Sequence, residues 1–579
     1  MIAFQAKNLS EQFKLAITKH QKNCLKEALE IYENILKINP DHFGSIFHLA
    51  ILMAQTKKFD KALLYFKKSL KLEPNNPDIH NNLGLVNRDL GNLSESIELF
   101  KKAISLKNDF FVAYNNLGVT FRDKGKYKEA KINFLKSIDL NSNYIDPYNN
   151  LGLIYAKENK FEEAEKYFLK ANNLDPKNLG PINNLGNLFK NKGDISKAVY
   201  YFNKVIEINY KNFDAYNNLL DLYEKTNKNN ELIKIINKCK NYFPENSVVK
   251  LFYGQYLHKE ERFHESINCL NETKFNNNEL KREKFRSLIL AKNYDKIGNF
   301  DKAFKFFEIT NKINLKLKNI NINKNNFLNL INERLDFFKS YNKFNYNDYY
   351  STDKSPLFLI GFPRSGTTLL DTILRSHNSV QVLEEKPTVQ KLISSIKNQT
   401  NGQLNNLNSL NKSQKDILRE EYWDNLKSYT DEKKDTSIIL DKMPLNIIYV
   451  GEIIKIFPNA KFILSLRHPY DSVLSCFMQS FDLNNAMANF LSLEDSAILY
   501  DSVMSLWKVY EEKMDFDYHI IKYENIVNDF DNTINKTLKF IKLEWSDDLK
   551  KFYETAKQRN LINTPSYNQV NKPLYNTSI

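Results

Sequence analysis

Pro356-Leu-Phe-Leu-Ile-Gly361-Phe-Pro-Arg364-Ser365-Gly366-Thr367-Thr368-Leu-Leu-Asp371 is the stretch on which the second half of the chain turns. Leu357 to Ile360 is an apolar run of strand length, and Gly361, Pro363 and Gly366 make a turn after it. Leu369, Leu370, Ile373 and Leu374 then fall on one stripe of a helix. Strand, glycine loop and helix is the context in which backbone N–H groups and a helix N-terminus grip a phosphate. The spacing from Gly361 to Gly366 is that of an ATP-binding loop, but Thr367 stands where such a loop places its lysine. The loop therefore predicts a phosphate site that is not built for a nucleoside triphosphate.

The whole chain bounds the reading. At 579 residues it exceeds one ordinary core, so at least two domains are expected. Its formal charge of +14 favours anionic ligands, yet lysine and asparagine are abundant throughout, so charge alone does not indicate nucleic acid. The four cysteines, Cys24, Cys239, Cys269 and Cys476, lack CxxC spacing, which argues against a disulfide framework and a zinc site. Met1 to Gln21 has no apolar signal core, and no run of about 18 apolar residues occurs, so no membrane span and a cytoplasmic location are expected.

Upstream of the glycine loop the sequence repeats. Ala28, Ala62, Ala130, Ala164 and Ala198 share one 34-residue frame, with Ser96 in the remaining slot. An aromatic follows each by four residues: Tyr32, Phe66, Phe100, Phe134, Phe168 and Phe202. Leu-Gly pairs precede them at Gly84, Gly118, Gly152 and Gly186. This matches the tetratricopeptide pattern, two helices per unit, with weaker copies to about residue 315. Asn81-Asn82, Asn115-Asn116, Asn149-Asn150, Asn183-Asn184 and Asn217-Asn218 recur in one phase. Stacked repeats turn them into a ladder of amides, which resembles the ladder lining O-linked N-acetylglucosamine transferases. On that resemblance Asn82, Asn116, Asn150, Asn184 and Asn218 are candidate peptide-binding residues. Solvation of the amides, or bonding between neighbouring repeats, is the alternative.

Downstream, Val380–Leu383, Ile438–Leu440, Lys461–Leu466 and Tyr518–Lys522 read as further strands alternating with helices. Charged groups follow their C-terminal ends: Glu384-Glu385-Lys386, Asp441-Lys442, Arg467-His468 and Tyr523-Glu524. That pattern predicts an α/β domain with a parallel sheet, whose ligand lies at the C-terminal edge. The expected organisation is a repeat superhelix over 1–315, a connector with one helix over 316–354, and the α/β domain over 355–579. Tyr341 to Lys354 reads as a loop before that domain.

Pro363-Arg-Ser-Gly-Thr-Thr368 together with Ser465-Leu-Arg467-His-Pro-Tyr-Asp-Ser-Val-Leu-Ser475 resembles the two sulfonucleotide-binding motifs of sulfotransferases. Within that superfamily the chain is similar to tyrosylprotein sulfotransferases and their bacterial relatives fused to tetratricopeptide repeats. The resemblance implies 3′-phosphoadenosine 5′-phosphosulfate as cofactor and no metal. It implies that Arg364, Ser365, Gly366, Thr367 and Thr368 hold the 5′-phosphosulfate, and that Arg467 and Ser475 hold the 3′-phosphate. Tyr523 is a further cofactor candidate. Glu385 matches the family's general base, and Lys442, assisted by Arg364, its transition-state cation. Thr564-Pro-Ser566 to Lys572 resembles the late cofactor segment, implying contacts from Ser566 and Lys572. His377 and His468 are read as structural.

The function expected is sulfuryl transfer to an acceptor hydroxyl on a protein or peptide, tyrosine favoured. The alternatives are a non-catalytic repeat scaffold with a degenerate transferase domain, and sulfation of a small molecule or glycan. A P-loop kinase is disfavoured by Thr367.

Overall fold

The computed structural model describes residues 2–318, 322–340, 355–430 and 438–558. They form two compact units, Met1–Phe252 and Tyr253–Ile579.

Among the described residues nine helix pairs run from Ile2–Gln21 to Phe300–Lys316, which is the expected tetratricopeptide solenoid. The frame residues make the pairs. Phe100, Phe134, Phe168 and Phe202 are almost wholly buried, each on the glycine sixteen residues earlier. A Cβ on Gly84, Gly118, Gly152 or Gly186 would come within 2.7, 2.7, 2.5 and 2.6 Å of the respective ring. Glycine is needed there so that an aromatic can press on the helix backbone. Ser96, in the irregular slot, is fully buried and donates to Gly84 O at 2.8 Å. The same bond recurs from Ser266 to Gly254 O at 2.7 Å, which marks the weaker repeat as the same device.

The second unit opens with the last repeats and continues into the sheet domain. Its compact boundary thus falls well before residue 315, because the final repeat helix docks on the sheet domain. Asn311 Nδ2 donates to Phe477 O (3.1 Å) and Leu491 O (3.3 Å), and Asn314 Nδ2 to Phe481 O (2.9 Å). The connector helix Lys324–Lys339 is present, but it does not simply close the solenoid. Ile331 and Phe338 enter the core of the sheet domain, and Arg334 forms a buried ion pair with Glu452 at 2.6 Å. Residues 341–354, read as a loop, lie outside the described residues.

Five strands form a parallel sheet in the order β2-β3-β1-β4-β5. They are β1 Leu357–Gly361, β2 Val380–Glu384, β3 Ile438–Lys442, β4 Lys461–Leu466 and β5 Asp517–Lys522. Side chains alternate faces along β1. Phe358 and Ile360 join one core, which includes the connector helix, and Leu357 and Leu359 join the other with Leu370, Ile373 and Leu374. Both faces of the central β1 are covered, and it is apolar throughout, whereas the edge strand β5 is largely exposed. Polar groups collect at the C-terminal edge. Among the described residues no helix is long and apolar enough to cross a membrane.

Candidate active site

The sheet register brings the expected residues together. Glu384 of β2 lies beside Lys442 of β3, and Lys442 beside Leu359 of β1, two residues before the glycine loop. On the other side Gly361 pairs with Ser465 of β4, and Leu466 with Lys522 of β5, just before Tyr523. Hence the motifs following the five strands converge on one edge.

The glycine loop is built by exclusion. A Cβ on Gly361 would come within 2.5 Å of Ser465 O, and one on Gly366 within 2.8 Å of the Tyr523 ring. Gly366 also has a φ of 94° and caps the helix Thr367–Arg375. That helix leaves its first N–H groups, beginning at Thr367 and Thr368, without intrahelical acceptors. Ser365 is 1% exposed and its Oγ has no hydrogen-bond partner among the described residues. A buried, unsatisfied hydroxyl is costly unless a ligand completes it. The hydroxyl, the helix N-terminus and Arg364 fit a phosphate-bearing group.

The second motif meets the first directly. Arg364 Nε donates to Ser475 Oγ at 2.9 Å, from the loop to the helix Pro469–Phe477. Arg467 lies over the Tyr523 ring at 4.9 Å, and its Nε is 3.8 Å from Asp471 Oδ2. Tyr523 thus touches both motifs, one through Gly366 and the other through Arg467. Cys476, next to Ser475, donates its thiol to Pro363 O at 3.3 Å, and burial pushes its pKa well up. It is a packing group, not a nucleophile.

Glu385 and Lys442, the expected base and cation, meet beside the glycine loop. Lys442 is fully buried, and its Nζ donates to Glu385 Oε1 at 2.8 Å. Glu384 Oε1 and Asp371 Oδ2 stand 3.9 Å from the same nitrogen. The Glu385 side chain is 43% exposed, so it alone of these groups opens substantially to solvent. Asp371 was not anticipated as part of the site. It is fully buried, takes Nε and Nη2 of Arg375 at 3.2 and 3.0 Å, and sits one turn into the glycine-loop helix. Burial raises its pKa while Lys442 and Arg375 pull it back. Position i+4 from Thr367, on the stripe facing β3, was the available signal.

Two of the candidate site residues stand on left-handed backbone. Arg364 has φ 68° and Glu385 φ 51°, conformations that cost a non-glycine residue ~1–3 kcal/mol. At Glu385 the backbone N–H donates to Lys442 O at 2.8 Å, which extends the β2–β3 pairing one residue past the strand.

Other expected residues fall elsewhere. Ser566 and Lys572 lie outside the described residues. His377 is held at both ring nitrogens, by Glu544 O at 3.1 Å and Ser379 N at 3.1 Å. His468 uses its backbone N–H on Glu524 Oε1 at 2.8 Å. The asparagine ladder is an inter-repeat device. Asn116 donates to Asn81 (2.9 Å), Asn150 to Asn115 (3.1 Å), Asn184 to Asn149 (2.8 Å) and Asn218 to Asn183 (3.5 Å). Arg122 and Lys190 cap Asn150 Oδ1 and Asn218 Oδ1, each at 2.9 Å. Asn82 donates to Asp78 O of its own helix at 2.8 Å. These amide donors are engaged within the solenoid, not presented as an open row to a peptide.

Residues 356–547 match the model of the sulfotransferase family. Tetratricopeptide-repeat models match residues 77–110, 145–178 and 181–212, and residues 52–91 and 120–159. A protein of Aquifex aeolicus described as uncharacterized is 27% identical over 300 residues. The match takes in 50% of this chain and 38% of that protein, so the chain spans well under half of the curated relative it matches. Among solved structures, MamA is 25% identical over 28% of this chain and 95% of its own, with a TM-score of 0.25. A Pseudomonas aeruginosa protein, pilF, is 18% identical over 37% of this chain and 97% of its own, with a TM-score of 0.32. The chain joins tetratricopeptide repeats to a domain of the sulfotransferase family.

Proposed function

We propose that the protein transfers a sulfuryl group from 3′-phosphoadenosine 5′-phosphosulfate to a hydroxyl on a protein or peptide, tyrosine favoured. The observation that carries this reading is the Glu385–Lys442 contact of 2.8 Å at the sheet edge that also carries the glycine loop. The residues fit the cofactor: Arg364, Ser365 and the amides from Gly366 to Thr368 would hold the 5′ end, and Arg467 and Ser475 the 3′-phosphate. Tyr523 would support both. When bound, the cofactor supplies an activated sulfuryl group on a phosphate leaving group.

Glu385, the more exposed member of the pair, would take the proton of the acceptor's hydroxyl. Lys442 and Arg364 would place positive charge beside the cofactor's leaving phosphate. Lys442 is dry and fixed by strand pairing, so its charge is preorganised.

The protein acceptor rests on the presence of repeats, a class that commonly binds proteins or peptides. A small-molecule or glycan acceptor is the second reading. It is favoured by one observation, that the asparagine donors are already committed between repeats.

Calorimetry with adenosine 3′,5′-bisphosphate and with ATP tests the cofactor, and binding of ATP in preference overturns the reading. Mass spectrometry of a proteome treated with cofactor and enzyme tests the acceptor. Sulfuryl adducts are expected with the wild type and are lost, by at least about 10²-fold in rate, in Glu385→Gln. Adducts confined to metabolites would favour the second reading.

A further inference from the structure

The loop that carries Glu385 is fastened to β3 at two successive residues. On one face of the sheet Lys442 takes the Glu385 carboxylate and backbone N–H, as described above. On the other, Thr388, the first residue of the helix Thr388–Gln399, donates its hydroxyl to Asp441 Oδ2 at 2.5 Å. Tyr422, on the helix Lys412–Lys427, donates to the same oxygen at 3.0 Å. Asp441, Thr388 and Tyr422 are each no more than 1% exposed. Successive strand residues point to opposite faces, so the loop straddles the end of β3. Only residues 386 and 387 separate Glu385 from Thr388, and Glu385 between these fastenings is held at φ 51°.

We infer that Asp441 is a positioning residue for Glu385: by holding the Thr388 hydroxyl on the far side of β3, it fixes the base in the left-handed conformation that aims its carboxylate at Lys442. This rests on the sulfuryl-transfer reading for the role of Glu385, although the clamp itself does not. A strained conformation persists only where its surroundings over-determine it. A single fastening at Lys442 leaves the loop a pivot, and the second removes it. Tyr422 adds a second bond to Asp441 Oδ2 without touching the loop, while the buried Oδ1 has no hydrogen-bond partner among the described residues. Burial pushes the Asp441 pKa up to about 6, and both hydroxyls oppose that rise. Near neutral pH the group is therefore largely ionised and accepts both bonds.

The test uses the full chain with Thr388→Val, which keeps the side-chain shape and removes the donor, and Thr388→Ser, which restores it. Asp441→Asn and its double mutant with Thr388→Val complete the set. Amide hydrogen exchange reads the clamp without any turnover. Exchange at residues 384–388 should rise about tenfold or more in Thr388→Val and return toward wild type in Thr388→Ser, a rise confined to that segment beyond the general loss of stability that removing a buried bond brings and the urea midpoint reads. With a tyrosyl peptide as acceptor, kcat should fall ~10–100-fold in Thr388→Val, as small misplacements of a reacting group do. Affinity for adenosine 3′,5′-bisphosphate should stay within about twofold. The double mutant should be no slower than the slower single mutant, because both remove one bond. Unchanged exchange in Thr388→Val, or no recovery with serine, overturns the clamp. Altered exchange with unchanged kcat overturns its link to Glu385. Absence of turnover in the wild type, with exchange responding as described, counts against the transfer reading and leaves the clamp supported.

Discussion

Replacing Asn116, Asn150 and Asn184 together by alanine separates an inter-repeat ladder from a peptide-binding one. The three side chains belong to successive repeats, and each donates to the asparagine 35 positions earlier, at 2.9, 3.1 and 2.8 Å. Three adjacent repeat interfaces therefore lose one amide bond each. A bond of this kind contributes ~0.5–1.5 kcal/mol net, and more where the abandoned partner stays buried. Asn81 and Asn115, 6% and 5% exposed, are such partners, and Asn150 also gives up the Arg122 bond. The sum is about 3–4 kcal/mol. Solenoid stability is close to a sum of repeat and nearest-neighbour terms, so the loss should appear nearly in full. With a urea slope of ~2–3 kcal/mol/M, the midpoint measured by circular dichroism should fall by more than about 1 M. Asn82→Ala is the control, because its donor serves only its own helix, and should cost under about 0.5 kcal/mol. A triple mutant with the wild-type midpoint, or a control that loses as much, would refute the reasoning. It would return the asparagines to the role of ligand contacts, with a raised KM for a long peptide as their signature.

Arg467→Ala should weaken adenosine 3′,5′-bisphosphate by ~1.5–3 kcal/mol and 5′-AMP far less, measured by calorimetry; equal losses would remove Arg467 from the 3′-phosphate. Asp441→Asn should change how stability depends on pH. The folded pKa of Asp441, about 6, lies above the ordinary 3.8, so its stabilising contribution is full below pH 3.8 and lost as pH rises through 6. Relative to wild type, the asparagine variant should gain on the order of 2–3 kcal/mol between about pH 4 and pH 7, read from urea unfolding; parallel profiles would show the carboxyl to be less perturbed than its burial implies. Asn311→Ala leaves the carbonyls of Phe477 and Leu491 without its amide and should destabilise the second unit by ~1–3 kcal/mol in a thermal melt. Because Ser475 is on the same helix as Phe477, bisphosphate affinity should fall with it; an unchanged affinity would detach the last repeat from the cofactor motif.

The strands and repeats were legible because burial imposes a period. One apolar run ended in a glycine loop and four in charged groups, and the alanine, aromatic and Leu-Gly positions held one 34-residue frame. Two features carried no such mark. Asn311 and Asn314 lie in the last repeat helix, yet they donate their amides to carbonyls among residues 477–491, and the compact unit that holds them begins at Tyr253. The asparagine ladder was visible in phase but not in partner. The sign was there in the doubling: a row facing a ligand needs one asparagine per repeat, whereas a bond from one repeat to the next needs a donor and an acceptor at adjacent positions. The 35-residue separation of Asn81 from Asn116 is one frame plus that single step.

The catalytic geometry was the least legible part, and the reason lies in the backbone. Sequence signals for a left-handed residue are glycine and asparagine, yet the positions held there at the site are Arg364 and Glu385. Neither residue type announces the conformation, which is imposed by what surrounds it. Arg364 is bracketed by Pro363 and Ser365, with its guanidinium on Ser475, and Glu385 by the two β3 fastenings. At ~1–3 kcal/mol each, such strain would relax in a loop held at one end only. That it occurs at the glycine-loop arginine and at the proposed base, and at both is pinned by residues distant in sequence, argues that aim was gained at the expense of stability. The motifs alone name Arg364, Glu385, Lys442 and Ser475. Their partners Asp441, Thr388 and Asp371 emerge only when the strands are laid side by side.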